Sequence, residues 1–173
     1  CALHSDGSAS CWGSNLLGEL GNDGSGNFSL TPVPVLARET RFVSIEGGGS
    51  STCGITSTRE VRCWGNNYAG QLGDGTYIAN PPPVPVIGLS VETDALSLGD
   101  AHACALGQDT VVRCWGQNTF FQLGYGNGLN EPIPHEVIAL PSGIRGIGLG
   151  ADHSCALSST GSVLCWGRNE NGQ

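Results

Sequence analysis

The sequence predicts an all-β fold built from tandem repeats, and two observations support this prediction. Eight cysteines form four pairs of identical internal spacing, and the pairs begin at residues 1, 53, 104 and 155. Between them lie short apolar runs separated by polar, glycine-rich segments, and no run has a helical period. A constant period of this length is typical of one supersecondary unit that buries its apolar surface against neighbouring copies.

Each repeat contains the same elements in the same order. An alternating apolar run comes first, at residues 43–45, 96–98 and 147–149. A hairpin follows, which in the last copy has strands at 154–157 and 162–166 and a turn in which Gly161 supplies a positive φ. A pair of prolines then marks an outer or edge strand, because proline cannot donate a hydrogen bond within a sheet. The sequence therefore predicts about four short antiparallel strands in each repeat.

Both faces of the hairpin are apolar. Side chains alternate along a strand, so Cys155 and Leu157 share one face while Ala156 and Leu164 lie on the other. A sheet that is apolar on both faces needs a neighbour on each side, which favours blades stacked radially. Arginines take the place of Leu164 in two copies, and we expect them to lie at a strand margin and extend towards solvent: Arg62 and Arg113.

The spacing of the cysteines indicates disulfides rather than zinc. Zinc sites use cysteines about two to four residues apart with a second pair nearby, whereas these pairs have the spacing Cys-x9-Cys. The predicted disulfides are Cys1–Cys11, Cys53–Cys63, Cys104–Cys114 and Cys155–Cys165. Persistent disulfides form in oxidising compartments, so the sequence predicts an extracellular or cell-surface location.

A longer motif follows the second cysteine of each pair. The chain reads CWGSNLLGELG from Cys11, CWGNNYAGQLG from Cys63, CWGQNTFFQLG from Cys114 and CWGRNENGQ from Cys165. These segments resemble the regulator-of-chromosome-condensation repeat, a Trp-Gly-x-Asn-x-x-Gly-Gln-Leu-Gly stretch found once per blade of a seven-bladed β-propeller. The resemblance covers essentially the whole chain, and its Cys-x9-Cys hairpins are similar to those of extracellular members of the family.

The resemblance implies a partial β-propeller, a fragment of about three and a half blades. We place the repeat units at residues 1–52, 53–103, 104–154 and 155–173, with the last one truncated. The motif residues are expected to be structural: asparagines hold the turns, and the resemblance makes His102 an inter-blade hydrogen-bonding residue. Phe121 replaces a glycine of the motif, so it either tolerates the backbone geometry there or alters the turn.

Composition argues against several classes of function. The seven basic residues are all arginine, the formal charge is −8, and no basic cluster suits nucleic acid. No run approaches the length of a membrane span. No nucleophile elbow or phosphate loop is present, lysine is absent, and every cysteine has a partner. We therefore expect neither catalysis, nor a cofactor, nor a metal site in this segment.

Recognition is expected in the loops that vary between repeats, because variable loops on a rigid scaffold commonly bind partners. The candidate contact residues are Phe28, Tyr68, Tyr77, Phe120, Phe121 and Tyr125. Asn27 begins an Asn-Phe-Ser sequon and is a possible N-glycosylation site. The sequence favours a non-catalytic module that binds a protein or self-assembles. The alternatives are an extracellular enzyme inhibitor that acts through one propeller face, and an enzyme or guanine-nucleotide exchange factor completed by further blades.

Overall fold

The computed structural model describes residues 1–24, 26–37 and 40–173, and these form four antiparallel sheets. We call the sheets blades 1 to 4. In each of them the strands that are neighbours in sequence are also neighbours in space. Blade 1 contains β1 (Ala2–Leu3), β2 (Ala9–Ser14) and β3 (Phe28–Pro34). Blade 2 contains β4 (Phe42–Gly47), β5 (Ser51–Thr56), β6 (Val61–Gly65) and β7 (Asn80–Pro85).

The other two blades repeat this order. Blade 3 contains β8 (Thr93–Leu98), β9 (His102–Gly107), β10 (Val112–Gly116) and β11 (Glu131–Glu136). Blade 4 contains β12 (Ile144–Leu149), β13 (His153–Ser158) and β14 (Val163–Gly167). No helix occurs in the described parts of the chain, so none of sufficient length and apolarity to cross a membrane is found there. The predicted all-β fold with short antiparallel strands is confirmed.

The hairpin register brings the cysteines of each pair face to face. Cys104 is directly opposite Cys114, Cys155 is opposite Cys165, and the other two pairs are bonded in the same way. The Cα atoms of the four disulfides are 4.0 to 4.1 Å apart, and no cysteine is free. The repeat boundaries that we set at Cys53, Cys104 and Cys155 therefore lie inside β5, β9 and β13, because the first strands of blades 2, 3 and 4 precede these cysteines.

The core lies between the blades. One face of the blade 2 hairpin, with Cys53, Ile55 and Val61, packs against Ala105 and Trp115 of blade 3. The same arrangement recurs between the other neighbours. Every residue of β5 and β9 is buried, as expected for a sheet covered on both sides. The first strand of each blade contacts the first strand of the next, β4 with β8 and β8 with β12, which places them nearest the common axis.

The two ends of the blades differ. At one end β2, β6 and β10 finish and long connections lead to β3, β7 and β11; we call this end the loop face. At the opposite end lie the hairpin turns, at residues 57–60, 108–111 and 159–162; we call it the turn face. Gly161 has φ 87°, as predicted, but Arg59 and Thr110 adopt φ 63° and 61° at the equivalent position. The turn is therefore set by the hairpin register, even where no glycine is available.

Candidate functional site

The long connections of the loop face are held by the motif asparagines. The Asn67 side chain accepts a hydrogen bond from Leu72 N at 2.9 Å and donates to the carbonyl oxygens of Thr76 and Ile78. Asn118 accepts from Leu123 N at 3.0 Å in the same way. Both asparagines are fully buried, so these side chains close each loop on itself and present its tip to solvent.

The next residues of the motif join one blade to the next. The Gln71 side chain accepts a hydrogen bond from Ala69 N within its own turn, while its backbone oxygen accepts one from Trp115 Nε1 at 2.9 Å. Trp64 and Trp166 make the equivalent bonds to Glu19 O and Gln122 O. The side chain at this position thus holds the turn, and its carbonyl links the blades.

The histidine at the start of the hairpin also lies between blades. His102 Nε2 is 3.0 Å from Ser154 Oγ of blade 4, and that hydroxyl donates to Gln122 O at 2.9 Å. The imidazole is buried, and burial is the main reason why its pKa falls to about 4; Asp152 opposes this effect and His153 adds to it. His102 therefore serves as a neutral structural contact.

Large apolar side chains are exposed at the loop tips. Tyr68 and Ile78 of blade 2 are 70% and 71% exposed, and Tyr77 beside them is 47% exposed. Ile78 O accepts a hydrogen bond from Asn67, the residue next to Tyr68, so the three lie at one loop tip. We call Tyr68, Tyr77 and Ile78 the blade 2 patch. Equivalent loops expose Leu16, Phe28, Phe121 and Leu129.

The six residues predicted as a contact surface divide into two groups. Phe28, Tyr68, Tyr77 and Phe121 are exposed, whereas Phe120 and Tyr125 are only partly exposed. Arg168 lies 4.8 Å from the centre of the Phe120 ring. Tyr125 stacks on His135 with ring centres 5.0 Å apart, and burial raises its pKa well above the usual value. Phe120 and Tyr125 therefore pack against other residues of the chain and present less surface to a partner than the other four.

Sequence reasoning missed Leu16, Ile78 and Leu129, because it searched for aromatic residues. One signal was available: Leu16 occupies the same motif position as Tyr68, two residues before the motif glycine. Phe121 keeps the glycine geometry at φ 62°, with its amide bonded to Asn118 O at 2.9 Å as Gly70 N is bonded to Asn67 O. The turn is therefore unaltered by the substitution. Asn27 of the sequon is exposed on the same face.

Within the part of the chain that the structure describes, no group of three or more His, Cys, Asp or Glu side chains is arranged to hold a metal ion. A cavity of about 590 Å³ lies at the turn face beside Arg41 and Arg62, at the opposite end of the strands from the blade 2 patch. The loop face carries exposed apolar side chains on a rigid scaffold, which suits contact with another surface.

Comparison with known proteins agrees with this architecture. The family model described as the regulator of chromosome condensation (RCC1) repeat matches residues 42–71, 94–122 and 144–173, and a second model of that repeat matches residues 112–157. The chain is 32% identical over 166 residues to the probable E3 ubiquitin-protein ligase HERC6 of Homo sapiens, covering 93% of this chain and 16% of that protein. It spans 4% to 40% of the length of the curated relatives compared.

Solved structures show the same fold. Prp20p of Saccharomyces cerevisiae superposes with a TM-score of 0.79 at 22% identity, over 97% of this chain and 43% of that one. The ectodomain of the Physcomitrella patens receptor kinase CR4 superposes with a TM-score of 0.61 at 25% identity, over 98% of this chain and 39% of that one. With its motif, disulfide hairpins and bladed sheets, the chain belongs to the family of proteins built from the regulator of chromosome condensation repeat.

Proposed function

We propose that this chain is a non-catalytic protein-interaction module of a secreted or cell-surface protein, with the loop face as its contact surface. The observation that carries the proposal is the blade 2 patch. Blade 2 has a neighbouring blade on each side, yet the Tyr68 and Ile78 side chains remain 70% and 71% exposed to solvent. Apolar side chains held at rigid loop tips are typical of recognition surfaces.

Relatives support a role in binding proteins. The structure of Prp20p was described together with its binding to Gsp1p and histones, and yeast RCC1 was solved bound to Kap60. These partners belong to those proteins, and the acidic surface of this chain differs from one that grips nucleic acid. Inhibition of another enzyme would be one special case of the same proposal.

The proposed location is supported by the disulfides and by one structural neighbour. Four disulfides in one chain are typical of an oxidising compartment. The structure from Physcomitrella patens is the ectodomain of a receptor kinase, so a propeller similar to this chain does occur outside the cell. Mass spectrometry of non-reduced peptides from the native source tests the location: free thiols at these cysteines would contradict it.

The contact surface is tested by variants of two exposed aliphatic residues of the same blade. Ile78 lies on the loop face, whereas Val43 is 51% exposed and lies at the turn-face end of β4. We expect Ile78→Ser to reduce capture of a native partner by cross-linking about tenfold or more, which corresponds to a contact of roughly 1.4 kcal/mol. Val43→Ser should leave capture unchanged. Equal capture by both variants would contradict the assignment of the loop face.

A further inference from the structure

The cavity at the turn face is rich in hydrogen-bond donors. It lies between the start of β4 and the hairpin turn that joins β5 to β6, and its volume is about 590 Å³. The lining side chains that argue for a ligand are the guanidinium groups of Arg41 and Arg62 and the hydroxyls of Thr56, Ser57 and Thr58. Glu60 is the only carboxylate among the described lining residues, so the site keeps a positive balance.

Neither arginine forms an ion pair with a described residue. The lowered pKa of Asp6 is caused mainly by hydrogen bonds from Ser8, and the charge of Arg41 makes only a small contribution to it. Among the described residues, no ion pair includes Arg41, Arg62 or Glu60. Arg62 Nε is buried and has no hydrogen-bond partner, and Arg41 makes only a long bond of 3.5 Å to Thr40 O. A buried donor without a partner is costly, and a charged one more so. An anion in the cavity would therefore offset this cost through its charge, by lying beside the guanidinium group of Arg62.

Blade 3 shows which anion fits this position. Arg113 stands where Arg62 stands in blade 2, and its Nη2 binds Asp109 Oδ2 at 2.8 Å and Glu136 Oε1 at 2.9 Å. The hydrogen bond from Arg113 holds the pKa of Asp109 below its usual value. Arg113 is buried by these contacts instead of extending towards solvent as the sequence led us to expect. Blade 2 has Thr58 and Pro85 at the positions of the two carboxylates.

We propose that the cavity beside Arg62 is a binding site for a carboxylate supplied by a ligand. The ligand carboxylate takes the place that Asp109 and Glu136 occupy around Arg113 and accepts two hydrogen bonds from the fork of the Arg62 guanidinium. Arg41 adds a second positive charge. Ser57 and one of the two threonines donate to the remaining oxygen lone pairs, since the hydroxyl hydrogen of the other threonine is used in the bond between Thr56 and Thr58. The site lies on the opposite end of the blades from the loop face, so it stands independently of the proposed protein contact.

Calorimetric titration of the chain with succinate, and separately with a short aspartate-rich peptide, measures the affinity of the site. We expect saturable binding of at least one of them. The comparison shows whether the carboxylate comes from a small organic acid or from an acidic side chain of a peptide. Arg62→Leu should weaken binding about tenfold or more, because one charged hydrogen-bonded partner is lost. Leucine occupies this position naturally in blade 4, as Leu164, so the fold accommodates it. Arg59→Leu removes a nearby arginine outside the cavity lining and should leave the affinity unchanged.

Two further variants act in opposite directions. Thr58→Asp introduces the carboxylate that blade 3 carries, so it should abolish succinate and peptide binding while raising resistance to urea. Glu60→Gln removes the competing carboxylate and should tighten binding several-fold. Equal affinity of wild type and Arg62→Leu, undiminished binding by Thr58→Asp, or tighter binding of inorganic sulfate than of either carboxylate would overturn the proposal.

Discussion

His102 lies between two blades with one ring nitrogen bonded and the other without a partner. Nε2 contacts Ser154, whereas Nδ1 is buried and makes no hydrogen bond. Protonation would place an uncompensated charge there, which is why burial lowers the pKa to about 4. His153 occupies the equivalent position in blade 4 and is only partly buried. At His102 the following blade covers the ring, and this burial makes the contact sensitive to pH.

The free energy of unfolding should decrease as the pH falls from about 6.5 to about 4. In this range the unfolded chain binds a proton at His102 and the folded chain does not, so acid favours unfolding. The full difference is of the order of 3 kcal/mol. Urea denaturation at several pH values measures it. His102→Gln should lose this part of the pH dependence and His153→Gln should keep it; identical slopes for both variants would contradict the assignment.

The connections between first and second strands are packed glycine against glycine. A Cβ atom at Gly48 would lie 2.5 Å from Gly99 O, and one at Gly99 would lie 2.6 Å from Gly150 O and 2.4 Å from His102 Nδ1. The amides join in this contact, since Gly49 N donates to Gly99 O at 3.3 Å. The close approach of successive elements near the axis therefore depends on side chains being absent.

Gly99→Ala should destabilise the fold by about 1 to 3 kcal/mol, because the added methyl meets backbone and a buried ring that have no room to move. Gly148→Ala is the matched control, since nothing lies within 4 Å of a Cβ at that position of β12. The control should be neutral or slightly stabilising. Chemical denaturation of the two variants compares them, and a Gly99 variant as stable as its control would refute the packing argument.

The four disulfides allow two contributions to stability to be compared, the entropy of loop closure and the packing of the sulfur atoms. All four close loops of the same length, so the chain-entropy model gives each about 2.5 to 3 kcal/mol. Cys104 and Cys114 are 0% exposed, whereas Cys165 is exposed. Replacing Cys104 and Cys114 by alanine should therefore lower the free energy of unfolding more than replacing Cys155 and Cys165, because loss of the buried pair also leaves a cavity. Equal losses in urea denaturation would show that packing contributes nothing.

Much of the strand and hairpin structure could be predicted from the sequence. The hairpin predicted at 154–157 and 162–166 is found as β13 and β14, one residue longer or shifted at its ends. The constant spacing of the cysteines predicts the position of the hairpin, because the strand register determines which residues face each other. The contact surface was harder to predict from the sequence. Tyr125 and Ile78 are both large loop residues, and only the fold shows that Tyr125 stacks on His135 while the Ile78 side chain is exposed.

At the scale of the whole 173-residue chain, blades 1 and 4 each have one face that no other blade of these residues covers, and the two faces are complementary. In blade 4 Val163 is 65% exposed on the face that, in blades 2 and 3, is covered by the following blade. In blade 1 Trp12 is 47% exposed, whereas Trp64 and Trp115 are fully buried against the preceding blade. Since these two faces are the two sides of one repeated interface, the first blade of one copy matches the fourth blade of another.

The 173-residue chain should therefore self-associate in a concentration-dependent manner. Sedimentation velocity measures the size of the particles, and the tryptophan emission should move to shorter wavelength as Trp12 becomes covered. Val163→Asp should shift the equilibrium towards monomer, because a charge cannot be buried in the contact. Val43→Asp changes a valine that is 51% exposed on β4 and should have no effect. A wild-type chain that stays monomeric at high concentration would contradict the matching faces.

The four sulfur pairs share one register but differ in their access to solvent. Cys53, Cys63, Cys104 and Cys114 are closed to solvent, while Cys1 and Cys165 are open. A thiolate reductant must reach a sulfur atom to attack it, so within residues 1–173 the bonds of blades 1 and 4 should break before those of blades 2 and 3. A partially reduced sample of this chain would therefore keep its two inner bonds oxidised.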